Sequence, residues 1–198
     1  MTTHGEAETL ALGERLGALL KGGDVVLLDG CLGAGKTRLA KGIARGLGLT
    51  GELTSPSFNL VLEYPLAGGA TDEQLPTPQH RVAQRLTSPR SETACPESTP
   101  PVPPPPTCLR HFDLYRLDSA EQLADFDYFG LIEEEGAVSL VEWGSRFASG
   151  LPLAYLAIRL ELHAACPEQR LLTFEACGVR AEALLACLAA SETAGQHD

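Results

Sequence analysis

The chain has 198 residues, a length that fits one domain or one domain with an insertion and excludes a large multidomain machine. Lys and Arg number 15 against 26 Asp and Glu, a formal net charge of −11, which argues against a protein that grips a nucleic-acid backbone unaided, so any link to RNA should run through a partner. Six cysteines with no CxxC pair offer neither a zinc ribbon nor a thioredoxin-like site, and the start has no basic stretch before an apolar one. No apolar run approaches the ~18 residues of a membrane span, so the expectation is a soluble cytoplasmic protein with reduced thiols.

In chain order, Ala7 to Lys21 carries Leu12, Leu16, Leu19 and Leu20 on one helical face and stops at Gly22-Gly23, which predicts an amphipathic helix. Asp24 to Asp29 is a short, nearly continuous apolar run, as in a strand buried on both faces. A glycine-rich turn follows, then a helix over Thr37 to Leu47 capped by Gly48. Phe58 to Tyr64 and Leu109 to Leu114 read as two strands of a hairpin. Between them, Pro65 to Thr107 holds 11 of the 14 prolines and no aromatic residue, so it cannot offset the entropy of ordering and should be a disordered insertion, extended at Pro103 to Pro106.

Asp118-Ser-Ala-Glu121 reads as a helix start running to about Phe126, and Asp127-Tyr-Phe-Gly130 as a helix end with its glycine cap. Ala137 to Trp143 is another apolar strand. Tyr155 to His163 and Arg170 to Ala176 alternate apolar and polar residues around a Cys-Pro-Glu-Gln turn, predicting an antiparallel pair with one wet face, and Val179 to Ala190 closes the chain as a helix. That order predicts an α/β layered domain with a mixed sheet, one unit spanning residues 1–198 with the insertion at 65–107.

Gly30-Cys-Leu-Gly-Ala-Gly35-Lys36-Thr37 fits GxxxxGK[ST] at every fixed position, between an expected buried strand and an expected helix. Glycines let backbone N–H groups turn inward around phosphate oxygens. The helix N-terminus adds positive potential, Lys36 neutralises charge, and Thr37 offers its hydroxyl to Mg²⁺. Glu142 ends the apolar run and stands where such a protein presents an acidic residue to metal or water; the alternative is a strand-end carboxylate in solvent. Asp113 is either a second such acid or half of a structural pair with Arg116 or Arg110, and His111 reads as a satisfied strand histidine, not a base. A GTPase of the NKxD type is disfavoured because the only asparagine, Asn59, precedes Leu. A small-molecule kinase, lacking an Arg-rich lid here, stays open as an alternative, as does a non-catalytic nucleotide-gated adaptor.

The loop at 30–37, Leu53-Thr-Ser-Pro-Ser-Phe58, His111-Phe-Asp-Leu-Tyr-Arg-Leu117, Asp127-Tyr-Phe and Leu140-Val-Glu-Trp143, in that order, resemble the bacterial TsaE family, formerly called YjeE. The resemblance implies a three-layer P-loop domain with a mixed sheet. It also implies an ATPase, weak alone, that works with TsaB and TsaD in making threonylcarbamoyladenosine beside the anticodon of ANN-decoding tRNAs, touching tRNA only indirectly. It assigns ATP or ADP to the loop residues Cys31, Leu32, Gly33, Ala34 and Gly35 with Lys36, Thr37 and Arg38, and places Thr9 near the base. Thr37 and Glu142 would hold Mg²⁺, Asp113 would sit near the attacking water, Ser55 and Ser57 would lie in a switch-like segment, and Trp143 follows the acid as in the family. Three features depart from the family pattern: Cys31 where it usually has Asp or Glu, Ser57 for a Thr, and the insertion.

Overall fold

A computed structural model describes residues 1–56, 59–66 and 103–194. Its seven strands are β1 (Thr2–Thr3), β2 (Val25–Asp29), β3 (Val61–Pro65), β4 (Cys108–Asp113), β5 (Ala137–Glu142), β6 (Tyr155–His163) and β7 (Cys166–Cys177), and its helices α1 (Glu6–Leu19), α2 (Lys36–Gly46), α3 (Tyr128–Ile132) and α4 (Val179–Ala194). They form one sheet in the order β1-β7-β6-β2-β5-β4-β3. The inner pairs β6–β2, β2–β5 and β5–β4 are parallel, and the outer pairs β1–β7, β7–β6 and β4–β3 are antiparallel. The mixed α/β sheet is therefore as expected.

Every residue of β2 and β5 is buried, which explains their unbroken apolar runs: a strand covered on both faces has no wet side. On one face Val26, Leu28, Leu140, Leu156 and Ile158 pack with α1, α2 and α4. On the other, Val25, Leu27, Phe112 and Val141 pack with α3 and the 3-10 segments around it. Helices α1 and α2 run side by side in the same direction through facing glycines. A Cβ on Gly13 would stand 2.5 Å from the Leu39 carbonyl, and one on Gly46 only 2.1 Å from that of Glu14. This close approach aligns the first turns of both helices, where Glu6 pairs with Arg38. At the opposite end, Arg180 donates from Nε and Nη2 to the two oxygens of Asp24 at 2.9 and 2.6 Å, fastening α4 to the start of β2.

Several local expectations need correction. Ser119, not Asp118, caps the segment after β4: the side chain of Gln122 accepts from the Ser119 and Asp118 backbone N–H groups, and the segment is 3-10, Ala120–Phe126. Gly130 lies inside α3, where the carboxylate of Asp127 approaches its Cα. Asp127 itself takes the left-handed conformation (φ 56°). The β6–β7 turn falls at residues 164–165, so Cys166 to Gln169 belong to β7. The two-residue β1 was not foreseen, being too short for any periodicity.

The expected disordered insertion lies outside the described residues over 67–102, but its ends do not. Pro65 closes β3, Leu66 is buried in the core with its N–H on the Thr107 carbonyl, and the Pro104 carbonyl accepts from Gly22 N–H. The five described cysteines are free, and Cys95 lies outside the described residues. Burial, reinforced by the negative charge of Glu63, pushes the Cys108 thiol up to about 11. Both anchors of the insertion stand at the start of β4, whereas Asp113 ends it, roughly 17 Å away at ~3.3 Å per residue. A chain with residues 67–102 replaced by a short Gly-Ser bridge should therefore stay folded and bind ATP with unchanged affinity by calorimetry. A folded product that has lost binding would show that the insertion contributes to the site.

Candidate functional site

The site is built at the C-terminal ends of the parallel strands, where β2 runs into the glycine loop and β5 ends in Glu142. Gly30 leaves β2 with φ 144°, and a Cβ there would meet the Leu160 carbonyl at 2.4 Å, so only glycine lets the loop turn against β6. Gly35, with φ 106°, caps α2 in the left-handed region. Between them Cys31, Leu32 and Gly33 are exposed, Leu32 at 92%, while Ala34 is buried with its N–H on the Cys31 carbonyl. A loop of this shape ahead of an 11-residue helix presents N–H groups and the positive end of the helix dipole to an anion.

Lys36 is only 6% exposed. Its Nζ donates to the Gly30 and Cys31 carbonyls at 2.8 and 3.2 Å and lies 4.4 Å from the centre of the Trp143 ring. Trp143 holds a left-handed backbone (φ 66°), uncommon for a bulky residue. Its N–H bonds the Leu28 carbonyl, and its ring packs on that of Tyr115 at 5.3 Å. The sequence motif and the Trp143 side chain thus meet, although 107 positions separate Lys36 from Trp143.

Leu28, Glu142 and Asp113 are register partners across β2, β5 and β4, and so project to the same face as α2. Glu142 is 4% exposed, which removes the reading of a solvated strand-end carboxylate. Its Oε1 lies 3.0 Å from Nε2 of His111, itself fully buried, whose Nδ1 faces the Thr54 carbonyl at 3.3 Å. A carbonyl can only accept, so in the Thr54 contact Nδ1 is the donor. His111 is satisfied, as its strand position suggested, but its partner is the acid at the centre of the site. No sequence pattern pointed to that contact: β4 carries Arg110, His111 and Asp113 among its apolar residues, and nothing local marks which of them meets Glu142.

Asp113 is half-buried and accepts at Oδ1 from the Tyr115 N–H at 3.1 Å. It is not paired with Arg110, whose guanidinium is spent on Glu63, Glu134 and the Leu131 carbonyl. Thr37 stands on the first turn of α2, and Arg38 beside it holds Glu6. Thr9 is buried, its hydroxyl bound to the Gly5 carbonyl and the Thr3 hydroxyl. Ser55 is exposed, next to Thr54, and Ser57 lies outside the described residues.

Among the described residues no group of three or more His, Cys, Asp or Glu is placed to hold a metal alone. The oxygen donors of Thr37 and Glu142 nonetheless suit Mg²⁺, which takes one or two protein ligands and completes its shell with phosphate and water. A cavity of about 630 Å³ opens beside the loop, between Gly30 and Cys31, Trp143 and Arg146, and Arg159 to Leu162 of β6. No helix among the described residues is long and apolar enough to cross a membrane.

The family model for "Threonylcarbamoyl adenosine biosynthesis protein TsaE" matches residues 3–94 and 98–171. A Mycobacterium bovis protein named tRNA threonylcarbamoyladenosine biosynthesis protein TsaE is 37% identical over 158 residues, covering 78% of this chain and 73% of its own. The Bacillus subtilis protein of the same name is 33% identical over 178 residues, covering 89% and 85%. The crystal structure of Bacillus subtilis YdiB superposes with a TM-score of 0.61 at 28% identity, over 97% of this chain and 94% of that one.

Proposed function

The chain belongs to the TsaE family of threonylcarbamoyladenosine biosynthesis proteins, and from that premise we propose that it is a Mg²⁺-dependent ATPase acting with TsaB and TsaD in that tRNA modification. The observation that carries the reading is the convergence of Lys36, Trp143 and the buried Glu142 where β2 and β5 end beside the glycine loop.

In this reading the loop from Cys31 to Gly35 and the first turn of α2, with Lys36, Thr37 and Arg38, grip the phosphates of ATP or ADP, through N–H groups other than that of Ala34, which the Cys31 carbonyl takes. Lys36 exchanges its loop carbonyls for phosphate oxygens. The Thr37 hydroxyl and Glu142 would hold Mg²⁺, and the chemistry it would supply there is neutralisation of phosphate charge. Asp113, in the same row as Glu142, orients the attacking water. Thr9 stands near the base as part of the α1 first turn, and Ser55, Ser57 and Trp143 belong to the partner-linked surface. The net charge of −11 fits a protein that reaches tRNA only through its partners, in the cytoplasm. Leu32 at 92% exposure and the exposed Tyr115 ring leave apolar surface around the site, as a protein that completes its site against a partner would present.

The open cavity with Arg146 and Arg159 favours one second reading, a kinase that seats a small acceptor there. Steady-state ATP hydrolysis by the chain alone and with TsaB and TsaD separates the readings. Slow turnover that rises with the partners is expected. Fast turnover indifferent to them would point to the kinase, and none in either case to a nucleotide-gated adaptor. In the stimulated assay Glu142→Ala should still bind ATP·Mg²⁺, weakened by about 10-fold at most, yet turn over roughly 10²-fold more slowly, the usual contribution of a positioned acid or base. Turnover equal to that of the unmodified chain would remove Glu142 from this role.

A further inference from the structure

We propose that His111 is a positioning residue for Glu142, a buried strut that ties the carboxylate to the Thr54 backbone; the proposal rests on the role given to Glu142 above. Three observations carry it. The ring has no exposed surface and both its nitrogens are engaged, Nε2 with Glu142 Oε1 at 3.0 Å and Nδ1 with the Thr54 carbonyl at 3.3 Å. A flat ring held at both edges has no rotational freedom left, so it fixes one oxygen of the carboxylate and leaves Oε2 unengaged by the histidine.

The far end of the strut is itself fixed. The Tyr64 hydroxyl lies 3.1 Å from the Thr54 N–H and 3.2 Å from its carbonyl, which anchors Thr54 to β3. The next residues, Ser55 and Pro56, follow directly on that anchor. Finally, Asp113 and Glu142 are register partners while His111 sits two residues before Asp113 on the same face of β4. The imidazole therefore stands in the row beneath the two acids, where it can support Glu142 without entering the space above the loop. Movement of Thr54 would be passed through one rigid ring to the carboxylate.

Two substitutions divide the strut. The amide nitrogen of Asn falls near the Nδ1 position and can keep the Thr54 bond but not the Glu142 bond; that of Gln falls near the Nε2 position and can keep Glu142 but not Thr54. With TsaB and TsaD present, His111→Asn should lower kcat 10- to 100-fold, the usual cost of losing such a supporting partner, with KM for ATP within about 3-fold. His111→Gln should restore most of kcat although its Tm falls as far. Equal kcat losses in the two variants, or losses that follow Tm, would overturn the proposal, since that is how a residue that only fills the core behaves.

If the unmodified chain hydrolyses no ATP with its partners, the ATPase reading fails and the strut is judged on binding. Mg²⁺ should then tighten ATP binding in the unmodified chain and in His111→Gln, and about 10-fold less in His111→Asn; the same enhancement in all three overturns it. Should His111→Asn not fold, ring-nitrogen NMR decides. Replacing Glu142 by Gln should move the His111 Nε2 resonance and leave Nδ1 in place, and an unmoved Nε2 contradicts the proposal.

Discussion

Lys36→Ala should give a protein that melts normally and no longer retains ATP. Lys36 Nζ is held within hydrogen-bond distance of two loop carbonyls, Gly30 at 2.8 Å and Cys31 at 3.2 Å, so its charge is placed in the loop's mouth before any phosphate arrives. Bonds between charged groups contribute about 1.5 to 3 kcal/mol each, and two such bonds to phosphate correspond to roughly 10²- to 10⁴-fold in affinity. The loss in folding stability should be much smaller. The glycines and the buried Ala34 shape the loop without the lysine, and removing a buried cation relieves its desolvation.

Calorimetric titration with ATP·Mg²⁺ and a thermal melt check both halves. The single tryptophan provides a third readout, because Lys36 lies 4.4 Å from the Trp143 ring and its transfer to phosphate should alter the fluorescence of the unmodified chain but not of the variant. Affinity within threefold of the unmodified chain would dismiss the loop as the nucleotide site, and a collapse of Tm would mean that the lysine is structural.

The largest loss of stability is expected where the sequence looks most permissive, at the glycines between α1 and α2. A Cβ on Gly42 would stand 2.2 Å from the Leu10 carbonyl and one on Gly46 2.1 Å from that of Glu14; both obstacles are backbone and cannot rotate away. The helices would have to separate, at about 3 kcal/mol or more per site, against about 1 kcal/mol regained because alanine favours a helix over glycine. Gly42→Ala combined with Gly46→Ala should thus cost about 4 kcal/mol and lower Tm by roughly 8 to 16 °C.

ATP affinity should fall as well, since α2 carries Lys36 and Thr37 on its first turn and cannot shift without moving them. Gly51→Ala serves as the control, because nothing lies within 4 Å of a Cβ there. A double variant whose Tm stays within a degree of the unmodified chain would show that the two helices do not depend on this close approach.

Much of the candidate site is local and was legible for that reason. The loop from Gly30 to Thr37 takes its shape from glycines at positions that demand positive φ, and a strand before it and a helix after it follow from apolar spacing alone. The hairpin pairing of β3 with β4 was legible too, because a long connection leaves the alternation of its flanking strands intact. The two ends of the insertion were misjudged where composition was the guide. Leu66 and the Pro103–Pro106 run find tertiary partners that composition does not see.

The sequence by itself determined the glycine loop, the strand and helix on either side of it, the mixed α/β order and an acid at the end of β5, since each depends on residues within one or two turns of chain. Only the tertiary structure decided which distant side chains share a row: Asp113 beside Glu142, His111 on Glu142, Arg110 committed to Glu63 and Glu134, and Lys36 over Trp143. Parallel pairing brings together β4 and β5, 29 residues apart by register (Cys108 with Ala137), and β2 and β5, 114 apart (Val25 with Ser139), and a shift of one residue in register would turn the strand side chains among these to the other face. That register is set by burial summed over the whole sheet, and no short stretch of sequence contains it.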